Sequence, residues 1–300
     1  KWGIYKERGW NDKHLISYME SHDEERASYQ IKTYGNASGG YDTKTLATRA
    51  DRIIQASAFF YTIPGPKMIY MFEELGYDIS IDNPCRVCEK PILWNYYNDQ
   101  HRQKIYFYMA SMMDMRKKYD VFNTSNFTYA LNGSSKRINL NGASMQATVV
   151  GNFAVTQKDV YPNFQHTGTW YDYFTGDTLT VSNATAPISF APGEWHIYTD
   201  VKLTDAAFMD VAEADLLETK PFMVFPNPST GWVDVVFDFP QGTSVEWSLR
   251  DVRGKMAAQS SLVTDGPQIT DFDFTALPKG AYILQLQTPT EAYTERLLLN

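Results

Sequence analysis

"LISYMESHDEER", residues 15 to 26, sets a run of mostly apolar or aromatic side chains ahead of a His22-Asp23 pair and follows the pair with Glu24, Glu25 and Arg26. Lys13 to Glu20 reads as a buried strand, which delivers the pair at its C-terminal end. Gly35 to Tyr41 ("GNASGGY") reads as a loop. From Thr43 to Tyr61 the apolar positions Leu46, Ile53, Ile54, Ala58 and Phe59 fall near helical spacing, predicting a helix that ends before Pro64. "KMIYMF", Lys67 to Phe72, follows as a short apolar strand. Strand, helix and strand with short connections make the signature of a parallel βαβ unit.

Working outward, an irregular stretch from Glu73 to about Asn98 precedes a second predicted helix over Asp99 to Lys118. Ile105, Met109, Met112 and Met113 mark its buried face, and methionines at such spacing are core formers. Beyond Tyr119 the chain turns to short alternating segments. "MQATVVGNFAV", "GTWYDYFTGDTLTV" and "APGEWHIYTD" read as antiparallel strands, with Thr175-Gly176-Asp177 at a hairpin turn. This second domain is expected over Asp120 to Leu203. An acidic connection (204–220) leads to a third region over 221–300, where Val233, Val235 and Phe237 alternate with aspartates and Tyr282, Leu284 and Leu286 repeat the pattern. That alternation predicts a small β-sandwich.

A 300-residue chain with 43% hydrophobic and 21% charged residues is long enough for two or three domains. Twenty tyrosines and seven tryptophans fit a carbohydrate-active protein, and large β-sandwich cores use the same residues. Residues 1–203 carry 21 charges of each sign, while 204–300 carry 14 acids and 6 bases, so the net charge of −8 lies in the last third. No basic patch points to nucleic acid, and no apolar run is long enough to span a membrane. The start, "KWGIYKERGW", has neither an initiator Met nor a signal-peptide pattern, so the expectation is a mature protein or a piece of a longer one. Cys85 and Cys88, in "NPCRVCEK", lack the second pair a zinc site needs and read as a loop disulfide or two inert thiols.

"YMESHD" resembles the fourth sequence motif of the alpha-amylase family, glycoside hydrolase family 13, in which His-Asp closes the seventh strand of a (β/α)8 barrel. "TIPGPKMIYMFEELGYD" is similar to the same family's eighth strand, with Glu73 standing where the family usually has Gly. The resemblance implies a fold in which residues 1–119 are the last two barrel strands with their helices and 120–203 are the antiparallel β-sandwich that follows. It implies retaining hydrolysis of α-glucan, with His22 binding sugar hydroxyls and Asp23 both binding hydroxyls and stabilising the positively charged transition state. The family's nucleophile and acid belong to earlier strands, so the chain is expected to be the C-terminal part of such an enzyme. Any calcium ligands are likewise expected upstream of residue 1, leaving the cofactor unknown.

"VFPNPSTGWVDVVF", "LRDVRGK" and "LPKGAYILQL" resemble the type A C-terminal sorting domain of the bacterial type IX secretion system, an immunoglobulin-like sandwich. That implies partnership with the secretion machinery and a secreted or cell-surface location across the outer membrane of a Gram-negative bacterium. Glu24, Glu25 and Arg26 read as a solvated ion-pair cluster, and His14, His101, His166 and His196 as structural residues. The competing reading is a non-catalytic surface protein that binds or displays glucan on a barrel remnant.

Overall fold

The structure, a computed structural model, describes residues 1–203, 222–225, 227–237, 239–266 and 268–300, which form two compact units. The acidic connection expected at 204–220 lies outside the described residues.

The first unit opens with α1 (Ala27–Tyr34), β1 (Ala37–Ser38), β2 (Tyr41–Asp42), α2 (Leu46–Thr62) and α3 (Gln100–Lys118). The two expected helices, α2 and α3, are present at nearly the expected bounds. Thr45 caps α2 by accepting from the Thr48 amide, and Pro64 stops it by forcing Ile63 into an extended conformation. Arg116 of α3 donates to the carbonyls of Tyr61, Ile63 and Gly65, so a cation covers acceptors that the end of α2 leaves free. Asp99 caps α3, accepting from the amides of His101 and Arg102 at 2.9 and 3.1 Å. Within the expected loop at 35–41, Gly39-Gly40 turns a two-residue ribbon in which Ala37 faces Asp42 and Ser38 faces Tyr41.

The two apolar segments meet in parallel through a single bridge, Ser17 to Lys67. Ser17 N donates to Pro66 O at 3.1 Å and Met68 N donates to Ser17 O at 2.9 Å. Neither segment extends into a strand. Ile16 is 61% exposed and Tyr18 45%, so the buried strand expected over 13–20 is corrected to an extended segment exposed on one side. A strand buried on both faces needs neighbours on both edges, and among the described residues each segment has one neighbour. The expected barrel end is thereby reduced to a bridged pair of segments, with Leu15, Met19 and Ile69 packed against the core that holds α2 and α3. Gly65 permits the close approach: at φ +111° it lies in the left-handed half of backbone space, and a Cβ there would come within 3.1 Å of the Lys13 carbonyl.

At the end of the 67–72 segment Phe72 adopts a glycine-favouring φ of 59°, one position before Glu73, which stands where the resembled family has Gly. Its buried ring, stacked on Tyr77 at 6.0 Å and edge-on to Trp94 at 5.0 Å, holds that backbone in place.

The rest of the first unit is antiparallel: β3 (Phe127–Ala130), β4 (Ser135–Asn141), β5 (Gln146–Asn152), β6 (Lys158–Val160), β7 (Gly168–Asp172), β8 (Thr178–Val181), β9 (Ile188–Phe190) and β10 (Trp195–Thr199). Six of them order as β3-β4-β5-β10-β7-β8, and β6 pairs with β9. The expected hairpin at 175–177 joins β7 to β8. Strand β5 is covered on both sides. Ala147 and Val149 join the core of Ile54 and Phe59, whereas Val150 joins Trp170 and Phe190. The first of these cores draws residues from both sides of the boundary expected at 119/120.

The second unit holds β11 (Phe222–Phe225), β12 (Trp232–Phe237), β13 (Ser244–Asp251), β14 (Met256–Val263), β15 (Gln268–Asp273), β16 (Gly280–Gln287) and β17 (Ala292–Leu299). They form two antiparallel sheets, β11-β12-β15 and β14-β13-β16-β17. Val233, Val235 and Phe237 of the first share a core with Leu249, Leu284 and Leu286 of the second, and Trp247 meets Phe272 edge-on at 4.8 Å. Alternation at period two therefore does what it predicts here, burying one face of each sheet.

Candidate functional site

His22 and Asp23 follow directly on the extended segment 15–20. Their side chains lie 3.3 Å apart, Nε2 to Oδ2, and are 76% and 72% exposed. The turn that carries them is fixed from below. Asp23 N donates to Ser21 Oγ at 3.1 Å, Ser21 Oγ donates to the Glu24 carboxylate, and Arg86 donates to the Asp23 carbonyl. Arg86 belongs to the loop closed by the Cys85–Cys88 disulfide, and Lys90 ties that loop by donating to the carbonyls of Ile81 and Cys85.

The expectation of a solvated Glu24-Glu25-Arg26 cluster is corrected. Glu24 is exposed, but Glu25 accepts from Ser80 Oγ at 2.7 Å and from Ile81 N at 2.9 Å, pinning the 80–81 turn to the His-Asp turn. Arg26 is buried. Its guanidinium pairs with buried Glu20 at 3.2 Å, donates to Met71 O, and lies between the rings of Tyr70 and Tyr77 at 4.3 and 4.8 Å. Glu20 also accepts from Ala27 N at 2.9 Å, so one carboxylate serves both the arginine and the first amide of α1. Glu20 and Arg26 flank His22-Asp23 in the sequence, but that spacing alone does not show that they pair beneath the turn.

Glu73 stands at the end of the neighbouring 67–72 segment and is buried. Its Oε2 accepts from Tyr70 N at 3.1 Å, and its Oε1 has no partner. Burial, reinforced by the negative charge of Glu20, pushes its carboxyl up to about 8. Glu20 is raised too, by burial first, although Ala27 N and Arg26 oppose the rise. At neutral pH Glu73 is therefore a carboxylic acid rather than a carboxylate. Farther along, Asp78 gathers Lys32, Arg49 and Arg102 at 3.2, 3.0 and 3.2 Å and accepts from Tyr96. Burial works to raise its pKa, but the Tyr96 hydrogen bond and the cations outweigh it and hold it low. This hub ties α1, α2, α3 and the 73–98 stretch together.

His166 and His196 have carboxylate partners, of which only Glu194 is near in sequence. His166 Nε2 meets Asp200 at 3.0 Å, with its ring on Trp170, and His196 lies between Asp172 at 2.5 Å and Glu194 at 3.1 Å. His196 sits on β10 of the antiparallel sheet, whereas His166 precedes β7 and is exposed. Among the described residues no group of three or more His, Cys, Asp or Glu could hold a metal ion, so the residues present do not form a calcium cage. Nor, among them, is any helix long and apolar enough to cross a membrane.

Residues 223–300 match the family model of the secretion system C-terminal sorting domain, so the second unit is a sorting module. Among solved structures, AmyP in complex with maltose aligns at TM-score 0.50 and 17% identity, covering 63% of this chain and 41% of that one; the likeness shows a shared fold. The alpha-amylase from Geobacillus thermoleovorans complexed with acarbose aligns at TM-score 0.47 and 13% identity, over 65% of this chain and 41% of its own. The trehalose-6-phosphate hydrolase of Bacillus licheniformis aligns at 0.48 and 16%, over 66% and 45%. The chain spans about two fifths of the length of these structures. No curated protein matches it.

Proposed function

We propose that residues 1–203 are the C-terminal part of a retaining glycoside hydrolase of the alpha-amylase type acting on α-glucan. In this reading residues 1–119 complete a barrel, 120–203 form the β domain behind it, and the sorting module directs the protein to the surface of a Gram-negative cell through the type IX machinery. The observation that carries the reading is the exposed His22-Asp23 pair, anchored through Glu25, Arg26 and Arg86 at the end of a segment bridged in parallel to its neighbour. Catalytic groups of barrel enzymes sit at such strand ends.

Two carboxyl groups earlier in the polypeptide would act as nucleophile and acid. The acid protonates the glycosidic oxygen as that bond breaks, the nucleophile takes the anomeric carbon, and water later releases the sugar. The residues on this chain bind and stabilise. His22 donates to a hydroxyl of the sugar being cleaved. Asp23 accepts from adjacent hydroxyls and places a fixed negative charge beside the developing oxocarbenium ion, where it is worth most once substrate has excluded water.

In the longer polypeptide Asp23→Asn should lower turnover on starch by about 10³-fold with folding intact, because the change removes charge without volume. Turnover within about threefold of wild type would sink the role of Asp23. Starch binding without hydrolysis by the wild-type longer polypeptide would favour the binding-protein reading. Deleting 222–300 should leave hydrolysis unchanged and keep the protein inside the cell.

A further inference from the structure

The turn that carries His22-Asp23 leans on a loop with few supports of its own. Every residue from Asp82 to Glu89 except Cys85 is exposed, Val87 to 94%, and none of their side chains joins a hydrophobic core among the described residues. A surface loop without apolar anchors needs another source of order. Two are present. Lys90 Nζ donates to Cys85 O at 2.7 Å and to Asn83 O at 3.3 Å, and the disulfide joins Cys85 to Cys88. Arg86 and Val87 lie inside the ring so closed, and a disulfide removes conformations from the chain it closes, so the bond confines the backbone from which Arg86 reaches.

Arg86 uses that base twice. One arm of its guanidinium pairs with Asp82 at 3.5 Å, and the other donates to the carbonyl of Asp23. Asp82 N donates to Ser80 Oγ at 3.1 Å, and Ser80 Oγ donates to Glu25 at 2.7 Å. The His-Asp turn is therefore gripped at two places, at Glu25 by residues 80–81 and at Asp23 by Arg86. The first grip ends on the buried Ile81, whereas the second depends on a half-exposed arginine set in a surface ring.

We infer that Arg86 is a positioning residue for Asp23, and that the Cys85–Cys88 disulfide, by confining Arg86, makes this position depend on the redox state of the chain. The inference rests on the role proposed above for Asp23. Cys88 is exposed, so a dithiol reaches the bond. A thiolate of the dithiol attacks one sulfur and displaces the other cysteine, and the second thiol then closes on the first. Cys85 and Cys88 are left as two thiols and the reagent as a cyclic disulfide, two electrons and two protons having passed to the protein. Arg86 loses its fixed base and the Asp23 carboxylate its place beside the reacting sugar. A misplacement of about 1 Å can lower turnover by about a hundredfold, and with the Glu25 grip still in place a loss of about tenfold is expected. Disulfides persist in oxidising compartments such as the periplasm and the cell surface, where the sorting module is proposed to take this chain.

The test pairs the order of the turn with turnover. In the 300-residue chain, dithiothreitol should speed exchange of the Asp23 amide, which donates to Ser21 Oγ, by at least about tenfold while the amides of β5 are unmoved. In the longer polypeptide, dithiothreitol should lower kcat on starch by about tenfold with KM within about twofold, because Asp23 acts in the transition state, and reoxidation should restore it. Cys85→Ser/Cys88→Ser should start at the lowered kcat and give no response to dithiothreitol, which separates this disulfide from any other in the polypeptide. Arg86→Met should reproduce the loss in the oxidised protein, and Arg86→Lys, which keeps a cationic donor, should return to within about threefold of wild type. Wild-type kcat in Arg86→Met or in the double cysteine variant overturns the proposal, as do an unmoved Asp23 amide and a dithiothreitol loss that the double variant shares. If the oxidised wild type hydrolyses no starch, the function proposed above fails; quicker exchange at Asp23 then still supports the redox clamp, and unmoved exchange condemns both.

Discussion

The second unit and the 13–20/67–72 pair start from comparable sequence and end differently. "VDVVF" and "YILQL" become strands with partners on both sides, whereas "LISYME" and "KMIYMF" meet at one bridge. The difference lies in where the partners are. Every strand of the second unit finds its neighbours within about eighty residues, and its alternation says which face turns inward. The two apolar segments have no such pattern to close among themselves, and a parallel pair alone satisfies few of its backbone groups. Strand character in a sequence is a demand for neighbours, and only the tail meets that demand from its own residues.

The comparison can be broken at the link that holds the first unit's turn together. Arg26→Leu leaves Glu20 buried without its cation and should cost about 3–5 kcal/mol, read as an early loss of the first unit's transition in urea. Replacing Glu20 and Arg26 together by methionines should cost far less, because no uncompensated charge remains. An equal cost for the single and the double variant would show that packing, not charge, matters there.

In the second unit the matching change is Leu284→Ala. It removes a fully buried side chain at the centre of the sandwich and should cost about 3 kcal/mol, confined to that unit's transition. A loss shared equally by both transitions would contradict the separate cores described above.

A smaller effect follows from Glu73. Its carboxyl is raised to about 8 in the folded state, with Glu20, Glu74 and Arg26 as the charged groups around it. The stability tied to its proton is therefore fully present below the ordinary carboxylate range and is lost as pH rises through 8. Glu73→Gln keeps the shape without the charge, so it should be nearly neutral at pH 4.5 and stabilising by about 1–2 kcal/mol at pH 8.5. Destabilisation at both pH values would mean that the ionised carboxylate is the form the fold uses.

Much of this architecture could be read in advance. The spacing of Ile53, Ile54 and Ala58 and the stop at Pro64 gave α2, while Tyr282, Leu284 and Leu286 gave β16. The position of His22-Asp23 at a segment end was legible as well. Arg26 was not, because nothing in an exposed-looking run of charges shows that one of them turns inward between Tyr70 and Tyr77, rings contributed some forty-five residues later. Phe72 hid for a related reason: a left-handed backbone under an aromatic residue is held by the packing of Tyr77 and Trp94, which local preference opposes. Asp172, which meets His196 of β10, lies on β7, its neighbour in the sheet, and Asp200, which meets His166, stands thirty-four residues farther along the chain.

The proposed function requires that residues 13–20 and 67–72, joined here by one bridge, become strands when a longer polypeptide supplies their neighbours. Amide hydrogen exchange of Ile16–Tyr18 and Met68–Tyr70 tests it directly, measured on the 300-residue chain and on the longer polypeptide under identical conditions. In the 300-residue chain these amides, the bridged ones apart, should exchange at loop-like rates, and in the longer polypeptide at least about 100-fold more slowly, while β12 and β16 stay protected in both. Equal rates for the two segments in both proteins would contradict the claim.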